Sequence, residues 1–92
     1  MYIHLIQFNW DIGNLTKCQK HGLTRAGIEF ALSHNARFAA DPDHSLTEQR
    51  FIAVSRTAEG RSVFVAFCWR DEKLRPISAR YMHQKEALRH AL

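Results

Sequence analysis

Residues Ser62 to Trp69 constrain the fold more than any other stretch. Val63, Val65, Phe67 and Trp69 alternate with Phe64, Ala66 and Cys68, so a strand here is apolar on both sides. A strand of that kind needs cover on both faces and predicts an interior place in a sheet. Thr57-Ala58-Glu59-Gly60 before it and Asp71-Glu72-Lys73 after it are turn chemistry, with Gly60 free to take positive φ. Phe51 to Ser55 and Leu74 to Arg80 then read as flanking strands, and Pro76 assigns the latter to an edge or to a position near its start. Hairpin-linked strands of this sort pair antiparallel.

The first half of the chain has a different period. Tyr2, Ile3, Leu5, Ile6 and Phe8 suit a first strand. Asp11 can accept from the free amides of a helix start, and residues 12–21 tolerate one short helix stopped at Gly22. Thr24 caps a second helix, with Leu23 and Ile28 spaced as a hydrophobic staple, and that helix fades near Asn35. Ala36 to Ala40 is a short strand, and Asp41-Pro42-Asp43-His44-Ser45 a turn. Residues 81–92 close the chain as a helix with Leu88 and Ala91 on one side. The expectation is an α+β domain spanning residues 1–92, an antiparallel sheet with two N-terminal helices and one C-terminal helix.

Size and charge narrow the function. With 92 residues there is room for one domain, which buries only roughly 60–65% of its unfolded surface. Thirteen Lys and Arg against nine Asp and Glu give a net charge of +4, which favours phosphate-rich or acidic partners. Cys18 and Cys68 are too few for a disulfide framework, and no apolar run approaches the roughly 20 residues of a membrane helix. The opening residues lack the basic stretch of a signal peptide. The expectation is a cytoplasmic protein with free thiols and no membrane contact.

Four blocks resemble the BrnT family of toxins. Trp10-Asp11-x-x-Asn14-x-x-Lys17-x-x-Lys20-His21-Gly22-Leu23-Thr24 is similar to the family's opening motif. Asp41-Pro42-Asp43-His44-Ser45, followed by Glu48 and Arg50-Phe51-Ile52, resembles its second block. Ser55-Arg56-Thr57-x-x-Gly60-Arg61 resembles its hairpin, and Ile77-Ser78-Ala79-Arg80 its last strand. The blocks stand in the family's order over nearly the whole chain. The chain departs from the family's usual residues at Asn14, at Lys17, where the nearest branch has histidine, and at Ser55, which replaces a glycine. The resemblance implies a small RelE-like (microbial ribonuclease-like) fold and a ribonuclease toxin of a type II toxin–antitoxin system. It further implies a BrnA-like antitoxin as partner, through which any contact with DNA would be indirect.

Cleavage of RNA without metal or cofactor needs a group to take the 2′-hydroxyl proton, one to protonate the leaving oxygen, and cations for the phosphate. His21, whose ordinary pKa of about 6.5 suits proton transfer near neutrality, is the first candidate for catalysis, or else it caps a helix end. Arg80 and Arg56, each at the end of a strand, are candidates for clamping phosphate with a planar fork. Either can instead form a structural pair with Asp11, Glu48 or Glu86. Lys17 and Lys20 share a helix face with His21 and, with Arg70, are candidates to bind RNA, or they form a solvated surface. Trp10 and Trp69 can stack on bases or simply pack. Cys18-x-x-His21 is half of a zinc spacing without its other half, and the aspartate–histidine turn at residues 41–44 is a weak metal signal, so no metal is assigned. The alternative function is an inactive BrnT-like module that only pairs with an antitoxin or binds RNA.

Overall fold

A computed structural model describes residues 6–44 and 47–92. Three helices and four strands follow in the order α1 (Ile12–Cys18), α2 (Arg25–Ser33), β1 (Arg37–Ala40), β2 (Phe51–Arg56), β3 (Ser62–Arg70), β4 (Lys73–Tyr81) and α3 (Gln84–Arg89). A single turn of 3-10 helix, Pro42–His44, lies between β1 and β2. The strands form one antiparallel meander in the order β1-β2-β3-β4. The fold is α+β, as the pattern of the sequence requires. Among the described residues no helix is long and apolar enough to cross a membrane.

The alternation in β3 fixes the layering. Val63, Val65 and Phe67 are buried in one core with Cys18, Leu23, Ile28, Ala31 and Leu32 from the helical segment. On the opposite face Phe64 meets the ring of His90, 6.4 Å away beyond α3, and carries the guanidinium of Arg80 at 4.5 Å. Strand β3 is therefore covered on both sides and interior, with β2 and β4 as its neighbours. The β3–β4 turn is closed by Asp71 and Glu72, both left-handed at φ 54° and 62°. Two such residues match the twist of a two-residue hairpin, and neither is glycine.

Pro76 sits at an irregularity in the register. Ala66 pairs with Ser78 and Phe67 with Pro76, so Ile77 is an extra residue on β4. A bulge tolerates the imino acid because the ladder hydrogen bond is already lost there. The freed carbonyl of Pro76 is taken by Asn14, whose Nδ2 donates to it at 2.8 Å and to the carbonyl of Asn9 at 3.0 Å. The Oδ1 of Asn14 accepts from the Asp11 amide at 2.7 Å, while the Asp11 carboxylate accepts from the Asn14 amide at 3.1 Å. The α1 capping box and the joint between α1 and β4 are thus one side chain, buried and with its hydrogen bonds satisfied.

Several boundaries differ from the sequence reading. Tyr2 to Leu5 lie outside the described residues, and the expected first strand is represented by one parallel bridge between Phe8 and Leu74, with the amides of Asn9 and Leu74 as donors. Helix α1 ends at Cys18 rather than near His21, and Gly22, at φ 93°, follows a further turn. Thr24 caps α2 as expected, its hydroxyl accepting from Gly27. The last helix is only six residues and is capped by the imidazole of His83. Leu88, expected on its buried side, is 65% exposed, and Ala87 is buried instead. So short a helix has no room for an apolar stripe, and the Arg80–Glu86 ion pair with the Arg37 bonds to the carbonyls just beyond it fasten it to the sheet. Both thiols are free and buried, and burial pushes Cys18 up to about 11.

Replacing Asn14 with alanine removes the cap and strands the Pro76 carbonyl. The expected loss is about 2–4 kcal/mol of unfolding free energy, the sum of a lost cap and a buried unpaired acceptor. Urea unfolding of Asn14→Ala against the parent chain measures it, and a change below 0.5 kcal/mol (about the effect of an ordinary surface substitution) would refute the joint.

Candidate nucleic-acid interface

A cleft of about 270 Å³ opens between α1 and the far end of β3 and β4. Lys17, Arg50, Arg70 and Arg75 line it, with Glu48 as the only carboxylate and Asn14 and Cys68 among its neutral groups. Each is placed by a feature of the fold. Lys17 stands one turn after Asn14 on α1, so the Asn14 joint sets its position. Arg75 lies across from Cys68 in the ladder. Its two terminal nitrogens donate to Asn9 Oδ1 at 2.7 Å and to Asp11 Oδ2 at 2.9 Å, and its side chain is only 15% exposed. The Asn14 amide first and the Arg75 guanidinium second hold the Asp11 carboxyl below the usual carboxylate range.

Arg70 closes the rim. It reaches both oxygens of Glu48 at 3.3 Å, a long and exposed pair that contributes little to stability. The Cys68 thiol donates to the same carboxylate, which lies below its ordinary pKa because of the thiol and then Arg70. Burial, followed by that carboxylate, raises the Cys68 thiol. Cys68 is therefore a neutral donor at the floor of the cleft rather than a nucleophile.

A second hollow shares Glu48 and Arg50 with the cleft and is lined also by Asp43, His44 and Thr47. Nδ1 of His44 lies 3.0 and 3.1 Å from the two carboxylate oxygens of Asp41. A carboxylate only accepts, so Nδ1 is the donor and Nε2 is left for another partner. The 3-10 turn started by Pro42 puts the two residues three apart and face to face. An imidazole oriented by a carboxylate is the arrangement that general acid–base chemistry uses. An imidazole with a free ring nitrogen and a cluster of cations thus occur side by side among the described residues.

The residues that the sequence pointed to are spread more widely. Lys17 and Arg70 line the cleft. Lys20 and His21 are exposed in the turn after α1, and their side chains make no hydrogen bond among the described residues. Arg56 is exposed at the end of β2, on the rim of another hollow. Arg80 is engaged in the Glu86 pair, two parallel bonds of 2.7 and 2.8 Å, one of the structural alternatives weighed for it. Trp10 is half-buried, its indole donating to Glu29 at 2.8 Å, with Arg25 over its ring at 5.7 Å. Trp69 is 47% exposed and edge-on to Phe67. Sequence reasoning did not single out Arg50, Arg75 or His44 as functional. Arg75 reads only as a strand residue, and its place emerges from the ladder. The Asp-x-x-His spacing within a proline turn was the signal available for His44.

A small basic α+β chain with a cation-lined cleft beside an oriented imidazole belongs to the class of domains that can engage phosphate. The chain belongs to the BrnT family: residues 10–86 match the model of the ribonuclease toxin, BrnT, of type II toxin–antitoxin systems. No curated protein matches it. An antitoxin protein is the partner that this family membership implies.

The Arg80–Glu86 pair has a consequence in acid. The Arg80 guanidinium holds the Glu86 carboxyl at about 2, against an ordinary 4.5. A carboxyl depressed in the folded state contributes stability that is present above its unfolded pKa and lost as pH falls through the folded one. The contribution is therefore expected to disappear between about pH 4.5 and 2. Urea unfolding across that range should show the parent chain losing more stability than Glu86→Gln. Parallel pH dependences for the two would show that the pair does not matter to folding.

Proposed function

We propose that the chain is a metal-independent endoribonuclease whose RNA substrate binds in the cleft between α1 and β4. The observation that carries this reading is the convergence of Lys17, Arg70 and the anchored Arg75 on one hollow, beside the Asp41–His44 pair. The scissile phosphate would sit against Arg75 and Arg70, taking the place that Glu48 holds at Arg70. Charge-assisted bonds to phosphate are stronger than the loose carboxylate pair they replace. His44 Nε2 would take the proton of the 2′-hydroxyl as that oxygen attacks phosphorus. Lys17 would supply a proton to the departing 5′-oxygen, leaving a 2′,3′-cyclic phosphate and a free 5′-hydroxyl. Arginine and lysine neutralise the growing charge in place, the role that a metal ion has in other nucleases.

The same reading has the chain act in the cytoplasm, where cleavage arrests growth, on a domain with a RelE-like arrangement. A BrnA-like antitoxin would neutralise it by covering the positive cleft. DNA would be contacted only through that partner.

Purified chain should cleave single-stranded RNA in the presence of EDTA, with products ending in 2′,3′-cyclic phosphate. His44→Ala should lower kcat by about 10²–10⁴-fold, the usual range for a lost proton-transfer group. Arg70→Ala should raise KM and flatten the salt dependence. His21→Ala and Arg80→Ala belong in the same series, since their side chains lie off the cleft. Loss of cleavage in folded His21→Ala with full activity in His44→Ala would move proton transfer to His21. Cleavage abolished by EDTA and restored by a divalent cation would overturn metal independence. A folded chain that binds antitoxin and leaves RNA intact would instead be a binding module.

A further inference from the structure

At the other end of β2 from the cleft, a hollow of about 380 Å³ lies between the C-terminal end of α2 and the sheet. Phe30 and His34 form one wall, their rings stacked at 4.0 Å with 14° between planes. The pair is not a core contact, because Phe30 is 36% exposed and His34 is exposed. His34 Nδ1 lies 2.8 Å from the Phe30 carbonyl, so it is the donor, and Nε2 is left without a partner among the described residues. Asn35 follows in the left-handed region, at φ 57°, and ends the helix. The turn is tied to the sheet by Ser55, whose hydroxyl donates to the His34 carbonyl at 3.1 Å. Ser55 is the residue that stands where the family's hairpin motif has glycine, and it is buried.

Arg56 follows Ser55 and lies on the rim. It is exposed and its side chain makes no ion pair or hydrogen bond among the described residues, unlike that of Arg37 across the hollow, which donates to the carbonyls of His90 and Ala91. A rigid aromatic face, an open imidazole nitrogen, an exposed carboxamide and an uncommitted guanidinium are the groups that hold a nucleobase and its phosphate. Leu92 adds one apolar side chain to the lining, but the guanidinium and the imidazole nitrogen flank the ring pair, and cationic and polar groups beside a flat aromatic face favour a base and its phosphate over an apolar peptide.

We infer that this hollow is a second RNA-contact site, in which a base stacks on the Phe30–His34 pair while Arg56 holds the adjoining phosphate. This rests on the reading of the chain as an RNA-binding toxin and adds a place where the substrate strand is read away from the cut. Arg56 is the last residue of β2 and Arg50 immediately precedes its first, six residues or about 20 Å of extended chain apart. A strand of several nucleotides is needed to occupy both sites, so the chain discriminates by length and by the base on the platform.

Two single-stranded 2′-O-methyl RNAs of mixed sequence, a trimer and a heptamer, provide the test, because they lack the hydroxyl that attacks and are not cut. Phe30→Leu keeps apolar volume but removes the ring. It should weaken heptamer binding about 5- to 100-fold, the span of one lost base stack, and leave the trimer unchanged. Phe30→Tyr should restore the heptamer. Arg56→Gln should reduce the slope of log K against log salt for the heptamer by about 0.7, the loss of one phosphate contact on a single strand. If Phe30→Leu and Arg56→Gln bind the heptamer as the parent does, while Arg70→Ala weakens both oligomers, RNA uses the cleft alone and the second site is refuted. If Phe30→Leu weakens binding of the antitoxin and not of the heptamer, the hollow is a protein-docking face and the inference falls. A parent chain that binds neither oligomer overturns the RNA reading itself.

Discussion

The carboxamide of Asn14 is the joint on which the rest depends. It caps α1, closes the turn from Asn9, and satisfies the carbonyl that the Pro76 bulge leaves unpaired. A helix of seven residues has little intrinsic stability, and α1 is held as a helix by what it touches. Because the joint lies at the bulge, α1 is fixed against the stretch of β4 that presents Arg75. The distance between Lys17 and Arg75 across the cleft is thus set by one buried amide. Asn14 departs from the residue usual in the family, yet here the residue type is dictated by hydrogen bonding: the Asp11 amide needs the acceptor that the carboxamide oxygen provides.

Arg75 illustrates how structure and electrostatics share residues. Anchoring by Asn9 and Asp11 costs the guanidinium part of its freedom and leaves it oriented. An oriented cation loses less entropy on meeting a phosphate than a free one. Arg80, by contrast, has both terminal nitrogens committed to Glu86 and its plane against Phe64. Two arginines five residues apart on one strand therefore serve different ends, one facing the cleft and the other fastening α3.

Much of the fold was legible in the sequence because it is local. The double-sided alternation of residues 62–69 located β3 in the interior, and the turn residues on either side gave the meander. Asp11 and Thr24 marked two helix starts through their own side chains. The C-terminal helix was less legible, since Leu88 suggested a buried stripe where the structure uses Arg80, Glu86 and Arg37. The candidate site was legible only in part. Lys17 and Arg70 were named from charge, but Arg50, Arg75 and His44 converge through the β2–β3–β4 register and the Pro42 turn. Pairing across a sheet is not written in spacing along the chain, so residues 48, 50, 68 and 75 give no common signal until the strands are laid side by side.

The edge of the sheet has a bearing on how the molecule behaves in company. Strand β1 has only four residues, and its outer side has no strand beside it among the described residues. An open edge is a template on which a second chain can add, and proteins blunt such edges by keeping them short and charged. Here the first residue of the edge is Arg37, which reaches across to the carbonyls of His90 and Ala91, just past the end of α3. The clasp that holds the C-terminal segment down also places a cation at the mouth of the unpaired edge. Self-association by strand addition is thereby disfavoured by the same bond that completes the fold, and colloidal stability and folding stability are linked through one side chain.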